Sequence, residues 1–384
     1  MVPRWAKWTS AGASLGISVL LIILLWPRGN QLNTLTIVVD DAAHGSVNPL
    51  PERYLYDAGQ VVTITATPAN GWYFDHWSGD AVADSTSATT TVTINGSKVV
   101  TAHFGLTQYG IATYSVGGRP FCLVSDSSGN IWVTCWGANT VTKMNASDGS
   151  VVGTYAVGMN PYGIAFDGAD IWVGNYSSAT VTKLRASDGS VVGTYAVGGN
   201  PWGIAFDGAN IWVANDSSAT VTKLRGSDGS LIGSYSVGGT HCDVTFDGSN
   251  IWVTSQNPDG VTKLDASDGS VVGTYAVGVR PWGVAFDGAD IWVADSGSAN
   301  LTKLNASDGS VVGTYFVGGD PRGIAFDGSN IWVTSPYGNT VTKLNVSNGA
   351  VVNKYDVGGT PMGIAFDGAN IWVANRDSGT VTKF

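Results

Sequence analysis

The chain has 384 residues, of which 43% are hydrophobic and 12% are charged, and its formal net charge is −10. Only the first 31 residues are net positive, so we expect no nucleic-acid partner. Glutamate occurs once, at Glu52, whereas 52 glycines accompany many Val, Thr, Ile and Trp residues. Because this composition favours strands and tight turns over helices, it predicts an all-β protein.

The first predicted element is an uncharged stretch, WTSAGASLGISVLLIILLWP, at residues 8–27. Arg4 and Lys7 precede it and Arg28 follows it. Its length suits a helix that crosses a bilayer, and the positive flank predicts a cytoplasmic N-terminus. We therefore expect residues 1–31 to be a cytoplasmic tip and an uncleaved signal anchor. A cleaved signal peptide is the alternative, and either segment places the rest of the chain outside the cytoplasmic membrane.

Residues 32–106 read as a small strand-rich module. Alternating runs such as TLTIVV, VVTITATP and TTTVTI are separated by Gly, Pro and Asn, which is the pattern of short strands joined by turns. The text GSVNPLPERYLYDAGQVVTITATPANGWYFDHWSGD resembles the divergent internalin B-type repeat of bacterial surface proteins. The resemblance implies a spacer or adhesion module.

A forty-residue repeat fills residues 107–384. The tripeptide Ile-Trp-Val begins at Ile131, Ile171, Ile211, Ile251, Ile291, Ile331 and Ile371. Each repeat reads as four strands: strand a of the type GIAFD, strand b NIWVA, strand c TVTKL and strand d SVVGTYAVG. Asp-Gly pairs mark the a–b and c–d turns, because glycine supplies the positive φ that tight hairpins need. Four antiparallel strands in a period of about forty residues predict a propeller blade.

The ends of the array predict that the ring closes. The seventh repeat stops at Phe384 after strand c, and an extra strand d, IATYSVGG, stands before the first strand a. We expect this N-terminal strand to complete the last blade, which would remove an open sheet edge. The predicted fold is therefore a closed seven-bladed β-propeller of four-stranded blades.

The repeat text, VGGNPWGIAFDGANIWVAN with TVTKL and GTY, resembles the bacterial YVTN and NHL-type propeller repeats and the streptogramin (virginiamycin B) lyase family. The resemblance covers residues 107–384 and implies either a binding protein or a lyase-like enzyme. Streptogramin lyases use His and Glu with a divalent metal, but this region has no Glu and one His, His241. We predict no catalytic residue, metal or cofactor; His241 and Asp243 are weak catalytic candidates.

Two residues recur strictly within the repeat. The Trp of Ile-Trp-Val is expected to pack between blades rather than to touch a ligand. The Lys of TVTKL is expected to be solvated and weakly paired, near the Asp of the c–d turns. These lysines are Lys143, Lys183, Lys223, Lys263, Lys303, Lys343 and Lys383.

Three cysteines occur, at Cys122, Cys135 and Cys242. Cys122 on strand a and Cys135 near the end of strand b stand about equally far from the turn of the first repeat. A disulfide between them is one expectation in an oxidising compartment, and two free thiols are the alternative. Cys242 lies three repeats away and is expected to be free.

Variation among the repeats gathers in the b–c and d–a loops, which lie at one end of an up-and-down sheet, whereas the a–b and c–d turns at the other end are nearly uniform. Drift without function is the alternative explanation for this variation. Because aromatic and Arg side chains on loops are typical of binding hot spots, we expect a ligand face there. Its predicted residues are Arg119, Phe121, Trp136, Tyr162, Tyr176, Trp202, Asp216, His241, Arg280, Trp282, Asp295, Asp320, Arg322, Tyr337 and Arg376.

The sequence therefore predicts a binding or adhesion protein of the cell envelope, anchored in the membrane, with the propeller outside the cytoplasm. Its expected partner is an extracellular protein, peptide or glycan. A secreted protein is the alternative for location, and a lyase-like enzyme is the alternative for function.

Overall fold

A computed structural model describes residues 32–42, 44–69, 72–80, 82–106 and 111–384. The chain folds as two compact units that divide between Gly110 and Ile111. The predicted membrane-spanning segment at residues 8–27 lies outside the described residues. Within the described part, no helix is long and apolar enough to cross a bilayer.

The module before residue 107 consists of a four-stranded and a three-stranded sheet. In the first sheet β1 pairs with β7 in parallel and the other pairs are antiparallel. Alternating side chains such as Leu35, Ile64 and Trp77 form its buried core, as expected for strands that each bury one face. Its strands are β1 Leu32–Val39, β2 Gly45–Asn48, β3 Arg53–Asp57, β4 Val61–Pro68, β5 Trp72–Gly79, β6 Thr89–Thr93 and β7 Lys98–Leu106.

The repeat region, residues 111–384, is built from four-stranded antiparallel sheets arranged as propeller-like blades. We number them first to seventh, and strands a to d follow one another across each sheet. The first four sheets are preceded by β8 Ala112–Ser115 and contain β9 Pro120–Ser125, β10 Asn130–Cys135, β11 Thr140–Asn145 and β12 Val151–Ala156; β13 Pro161–Phe166, β14 Asp170–Asn175, β15 Thr180–Arg185 and β16 Val191–Ala196; β17 Pro201–Phe206, β18 Asn210–Asn215, β19 Thr220–Arg225 and β20 Leu231–Ser236; and β21 Thr240–Phe246, β22 Asn250–Gln256, β23 Gly260–Asp265 and β24 Val271–Tyr275.

The remaining three sheets continue the same order, and two short 3-10 helices, Tyr176–Ser178 and Pro336–Gly338, interrupt b–c loops. The fifth to seventh sheets contain β25 Pro281–Phe286, β26 Asp290–Asp295, β27 Asn300–Asn305 and β28 Val311–Phe316; β29 Ile324–Phe326, β30 Asn330–Ser335, β31 Thr340–Asn345 and β32 Val351–Asp356; and β33 Pro361–Phe366, β34 Ile371–Asn375 and β35 Thr380–Lys383.

The extra N-terminal strand completes the last sheet, as the sequence predicts. β8 pairs antiparallel with β35, and Lys383 lies opposite Ala112. Each strand a contacts strand a of the next sheet, and β33 contacts β9. The seventh sheet therefore packs directly against the first.

The uniform end of each sheet is held by one repeated set of contacts. In the third sheet the Trp212 indole donates a hydrogen bond of 2.7 Å to the Asp207 carboxylate of the a–b turn, and the Trp212 and Tyr235 rings stack 5.6 Å apart. Trp212 is fully buried against residues of the next sheet. The recurring Trp therefore packs between sheets, as predicted.

Two structural features require glycine in the c–d turns. Gly229 has a φ of 76°, which favours glycine. A Cβ there would also overlap the Tyr195 ring of the preceding sheet. The uniform turns are thus contact points between neighbouring sheets as well as hairpin turns.

The prediction of solvated lysines is wrong. Lys223 is 4% exposed; its Nζ lies 4.8 Å from the centre of the Trp212 ring and donates a 2.7 Å hydrogen bond to the Ala266 carbonyl of the next sheet. Because the Trp and Lys stand opposite each other on strands b and c, the lysine stem covers the indole. Lys383 makes the same bond to Ala146, which links the last sheet to the first.

Candidate ligand-binding site

The b–c and d–a loops of one sheet meet at a common end, which we call the variable end. Their backbones are hydrogen bonded to each other, as between Asp216 N and the Asn200 carbonyl or between Trp136 N and the Arg119 carbonyl. This pairing places the diversified residues of the two loops side by side. The sequence argument that assigned both loops to one end is confirmed.

In most sheets the pairing of strand a with strand b is irregular near the start of strand a. In the third sheet the register with strand b shifts between Pro201 and Ile204, and the same shift recurs in the second, fifth and seventh sheets. Such bulges redirect side chains. Two successive residues, Trp202 and Gly203, consequently both border a central cavity.

The central cavity has a volume of about 150 Å³ and is lined by the a strands. Five sheets contribute glycine at the same position because the strands converge there: a Cβ at Gly163 would overlap the Trp202 carbonyl oxygen. The first and fourth sheets depart from this rule with Cys122 and Asp243, and both side chains line the cavity.

Five aromatic rings form a continuous cluster at the mouth of this cavity. Tyr162 is the centre, with ring centroids 4.0 Å from Phe121, 4.5 Å from Trp202 and 5.0 Å from Tyr176. Trp202 in turn meets Trp282 edge to face at 5.1 Å. Burial raises the pKa of Tyr162 to about 12, so its hydroxyl is neutral at physiological pH. We call these five residues the aromatic cluster.

The charged side chains beside the aromatic cluster form ion pairs with each other. The Arg322 guanidinium lies 3.7 Å from the centre of the Trp282 ring and donates two hydrogen bonds, of 2.9 and 2.6 Å, to one oxygen of Asp320. Both partners of this pair are largely buried. Arg322 is therefore fixed over Trp282 rather than free to sample solvent.

A second set of arginine–aspartate interactions lies beside the Arg322–Asp320 pair. Arg376 and Arg119 both donate to Asp377, at 3.1 and 3.2 Å, and Thr360 Oγ1 donates to it at 2.6 Å. The hydrogen bonds from Arg376 and Thr360 hold the pKa of Asp377 well below its usual range. Around this pair is a cavity of about 230 Å³ that shares Met362 with the central cavity.

Asp243 differs from these paired carboxylates. Its Oδ1 accepts a 2.9 Å hydrogen bond from Val244 N and its Oδ2 a 3.2 Å bond from Val284 N. Burial nevertheless raises its pKa to about 7. Burial, and then the charge of Asp243, also raise the pKa of Cys122, so this thiol is a poor nucleophile.

Thr254 on strand b holds Asp243 and Trp282 in place. Its Oγ1 accepts a hydrogen bond from Asp243 N at 3.0 Å and donates one to the Trp282 carbonyl at 2.6 Å. Repeats without a Thr at this position have Gly or Ala. A comparison of the repeats could have identified Thr254, which the sequence analysis missed together with Met362.

The structure brings together most of the predicted ligand face. Phe121, Trp202 and Trp282 line the central cavity, and Asp320, Arg322 and Arg376 line the neighbouring one. Tyr162 and Tyr176 are joined to them through ring contacts with Trp202. At the margin, Arg119 stacks on Trp136 at 5.3 Å, Tyr176 donates to Asp216 at 3.4 Å, Arg280 is exposed and Tyr337 is 84% exposed. The side chains of His241 and Cys242 lie outside what the structure describes; the His241 backbone pairs with Ser255.

The placement of Asp295 on the ligand face is wrong. Asp295 is 0% exposed and occupies the position of the buried Asn175 and Asn215 in other repeats, where it accepts a 2.5 Å hydrogen bond from Thr302. Strand b of the fifth sheet extends one residue beyond its apolar residues and ends at Asp295. The Asp295 side chain therefore lies in the interior of that sheet and not on the ligand face. Burial raises the pKa of Asp295 to about 6.

Cys122 and Cys135 are free thiols in the structure, so the disulfide expectation is not met. Cys122 N bonds the Oγ1 of Thr134, which places the residue before Cys135 opposite Cys122. Successive strand residues face opposite sides of a sheet, and Cys135 Sγ instead lies 3.5 Å from Thr142 Oγ1. Among the described residues, no group of three or more His, Cys, Asp or Glu side chains is arranged to hold a metal ion.

The family match covers only the module before the repeat region. Residues 35–108 match the family model of the divergent InlB B-repeat domain. No curated protein matches the chain.

Several solved structures are similar to the chain. Hydrazine synthase of Kuenenia stuttgartiensis is 20% identical with a TM-score of 0.62, covering 70% of this chain and 96% of that one. A streptogramin B lyase is 18% identical with a TM-score of 0.62, covering 73% and 99%. A catalytically inactive virginiamycin B lyase from Staphylococcus aureus with quinupristin is 18% identical with a TM-score of 0.62, covering 71% and 98%. These similarities show a β-propeller fold.

Proposed function

We propose that residues 111–384 form a closed seven-bladed propeller that binds an extracellular protein, peptide or glycan at its variable end. The observation that carries this proposal is the aromatic cluster at the mouth of the central cavity. Packing of the repeat does not require an aromatic ring at the position of Trp202, which holds Phe, Tyr or Trp in three other repeats and Cys, Arg or Met in the other three. Aromatic side chains beside a cavity are typical of ligand sites.

Three features support a closed ring of YVTN or NHL-type repeats. β8 completes the last sheet, β33 contacts β9, and Lys383 donates to the Ala146 carbonyl of the first sheet. A closed ring is a rigid platform for a site assembled from several sheets. It keeps the rings of Phe121 and Trp282 within one cluster although they belong to distant repeats.

The charged groups at the variable end favour binding over catalysis. Arg322 is fixed by Asp320, and Arg376 and Arg119 are fixed by Asp377. Side chains that are already paired and stacked lose little conformational freedom when a ligand binds. We therefore assign them to the rim of the site rather than to proton transfer.

The proposal is tested by screening residues 32–384 against glycan and peptide arrays and measuring the affinity of each ligand found by calorimetry. Trp202→Ala and Trp282→Ala are expected to weaken binding by roughly 2 kcal/mol or more at a true hot spot, with nearly unchanged melting. Ser190→Ala and Ser270→Ala, in the c–d turns of the opposite end, are the matched controls. Ligands that bind both Trp variants with unchanged affinity, or whose affinity falls in the serine variants, would overturn the assignment.

We further propose that the segment at residues 8–27 anchors the protein in the membrane with the propeller outside the cytoplasm. The uncharged length and the positive flank of this segment support the proposal. The full chain should remain in the membrane pellet after a high-salt wash and dissolve only in detergent. Soluble protein that begins near residue 28 would instead identify a cleaved signal peptide.

A lyase-like activity is the second candidate, and Asp243 is the observation that favours it. A carboxyl group with a pKa of about 7 inside a cavity suits a general acid or base. The test is cleavage of quinupristin by the purified protein with and without added divalent metal. Cleavage that is lost in Asp243→Asn would move the assignment to an enzyme, and absence of cleavage leaves the binding function preferred.

A further inference from the structure

Asp243 stands where the repeat calls for glycine. Five of the seven a strands have Gly at this position, and the backbones of neighbouring strands approach so closely that a Cβ at Gly203 would lie 2.7 Å from the Asp243 Cα. This close approach favours glycine in the other repeats, and Asp243 departs from that rule at a position that lines the central cavity. Departures from a repeated local rule are expected at functional sites.

Asp243 is the one charged residue among the described residues that line the central cavity. Each of its oxygens accepts a single backbone hydrogen bond, from Val244 N and from Val284 N. A carboxylate oxygen can accept about two, so both keep capacity for a further donor. No described Lys or Arg forms an ion pair with Asp243, since Arg322 is bound to Asp320.

We propose that the central cavity binds a primary alkylammonium group, with Asp243 as its counterion. This inference rests on the proposed binding function of the variable end and names the chemistry that this end recognises. The source of the group is either a free alkylamine or the side chain of lysine in a polypeptide.

The cavity wall suits the apolar stem of such a ligand. The lining of the cavity that contains Asp243 also includes Ile164, Ile204, Ile324 and Ile364 from other a strands. A straight methylene chain can lie against these side chains while its charged head reaches Asp243, as the side chain of lysine does elsewhere in proteins.

The entrance favours a cation over a neutral amphiphile. Trp202 and Trp282 line the same cavity as Asp243. One face of Trp282 is already covered by Arg322, so Trp202 is the indole whose face can attract a further cation. Thr254 fixes the Asp243 backbone and the Trp282 carbonyl together, so the counterion and the aromatic entrance keep one spacing.

The hydrogen-bonding pattern favours a primary ammonium over other cations. A quaternary ammonium has no N–H to donate to the free acceptor positions of Asp243. A guanidinium is a larger planar group that pairs best through two parallel bonds to both carboxylate oxygens, and this arrangement needs more room in a cavity of about 150 Å³. An ammonium is a compact group with three donors, which fits a narrow cavity.

The test measures binding of butylamine and of Nα-acetyl-lysine N-methylamide to residues 32–384 at pH 8 by calorimetry. Butanol and the Nε-acetylated lysine derivative are the neutral counterparts. We expect each amine to bind at least tenfold more tightly than its counterpart. Preference for butylamine would identify a free amine as the source, and preference for the lysine derivative would identify a polypeptide.

Two variants locate the site. Asp243→Asn keeps the shape of the side chain, and Asp243→Gly restores the residue of the other repeats, so one of them is expected to fold if the other does not. Both should weaken amine binding at least tenfold without lowering the melting temperature. Equal amine affinity in the wild type and both variants, or no amine binding at 10 mM, overturns the inference.

The pH dependence gives an independent readout. Amine affinity should fall about tenfold from pH 8 to pH 6, because Asp243 with a pKa near 7 takes up a proton and loses its charge. Cys122 of β9 is a described titratable group whose pKa the charge of Asp243 affects. His241 is two residues away in the sequence, so His241→Ala is measured in parallel and should keep the pH dependence. Loss of the dependence in His241→Ala contradicts the assignment to Asp243.

Failure of this inference is distinguishable from failure of the proposed function. An array ligand whose binding needs Trp202 and Trp282 but is unaffected in Asp243→Asn supports a ligand site at the variable end and overturns the ammonium site. Amine binding that needs Asp243, with no array ligand dependent on the aromatic cluster, leaves only the small-molecule site.

Discussion

Trp212 and Trp202 are ten residues apart in the same sheet, yet they belong to different ends and serve different purposes. Trp212 is fully buried, donates to Asp207 and is covered by Lys223, and the same contacts recur in the other sheets. Trp202 is half-buried at the mouth of the cavity and touches aromatic rings at a position where other repeats have Cys, Arg or Met. A repeat protein thus separates the residues that hold its sheets together from those that give it an individual surface.

The largest expected effect concerns the strand that completes the last sheet. A fragment of residues 119–384 lacks β8 and leaves β35 with an open edge, so it should aggregate or melt far below a fragment of residues 111–384. Light scattering and thermal melting of the two fragments measure the difference. Equal melting and equal dispersity would show that β8 does not hold the ring.

The two tryptophans should respond very differently to truncation. Trp212→Ala is expected to lower the free energy of unfolding by about 3–5 kcal/mol, because it leaves a large cavity between sheets. Trp202→Ala should have a smaller effect, of about 1 kcal/mol, since its side chain is only partly buried and its position tolerates Cys, Arg or Met in other repeats. Urea denaturation checks both, and comparable losses would contradict the division between the two ends.

Buried lysines offer a finer comparison within the uniform end. Lys183 lies 3.0 Å from Asp170, so Lys183→Met leaves a carboxylate without its partner and should cost about 3 kcal/mol. At Lys223 the equivalent neighbour is Asn210, and Lys223→Met loses hydrogen bonds to carbonyls at a cost of roughly 1–2 kcal/mol. Denaturation at pH 7 distinguishes them, and a larger loss for Lys223→Met would refute the ion-pair argument.

One substitution is expected to stabilise the protein. Asp295 replaces a buried asparagine, and its pKa of about 6 lies above the ordinary value of 3.8. Because the unfolded chain loses the proton first, stability falls as pH rises from about 4 to 6, by on the order of 2–3 kcal/mol. Asp295→Asn should recover that amount at pH 7.5 and lose this pH dependence. If the free energy of unfolding of Asp295→Asn differs between pH 4.5 and pH 7.5 as much as that of the wild type, the pH dependence does not come from Asp295.

Local signals in the sequence sufficed for the strands and the turns. Asp-Gly pairs and the fixed period of forty residues place the hairpins around Gly208 and Gly229, and the orphan strand before residue 118 indicates how the last sheet is completed. These features depend on residues that are close in the chain or on a simple count of strands.

Contacts between sheets could not be predicted in the same way. The hydrogen-bond acceptor of Lys223 is the backbone carbonyl of Ala266, forty-three residues away. Because every residue has a backbone carbonyl, the sequence does not indicate which one accepts the bond. The bulge after Pro201 likewise cannot be inferred from composition, yet it is what lets Trp202 and Gly203 both border the cavity. The residues of the variable end were identifiable by their variation, whereas their arrangement around a cavity depends on this backbone detail.

The pairing of β8 with β35 also determines how the molecule responds to a mechanical load. Everything that precedes Ile111 is connected to the repeat region through β8, and four residue pairs, from Lys383 and Ala112 to Thr380 and Ser115, join that strand to the last sheet. A pulling force on the preceding chain therefore acts first on these pairs. The strand that connects to the preceding chain is also the strand that completes the last sheet, so a force that detaches β8 also leaves the edge of β35 unpaired.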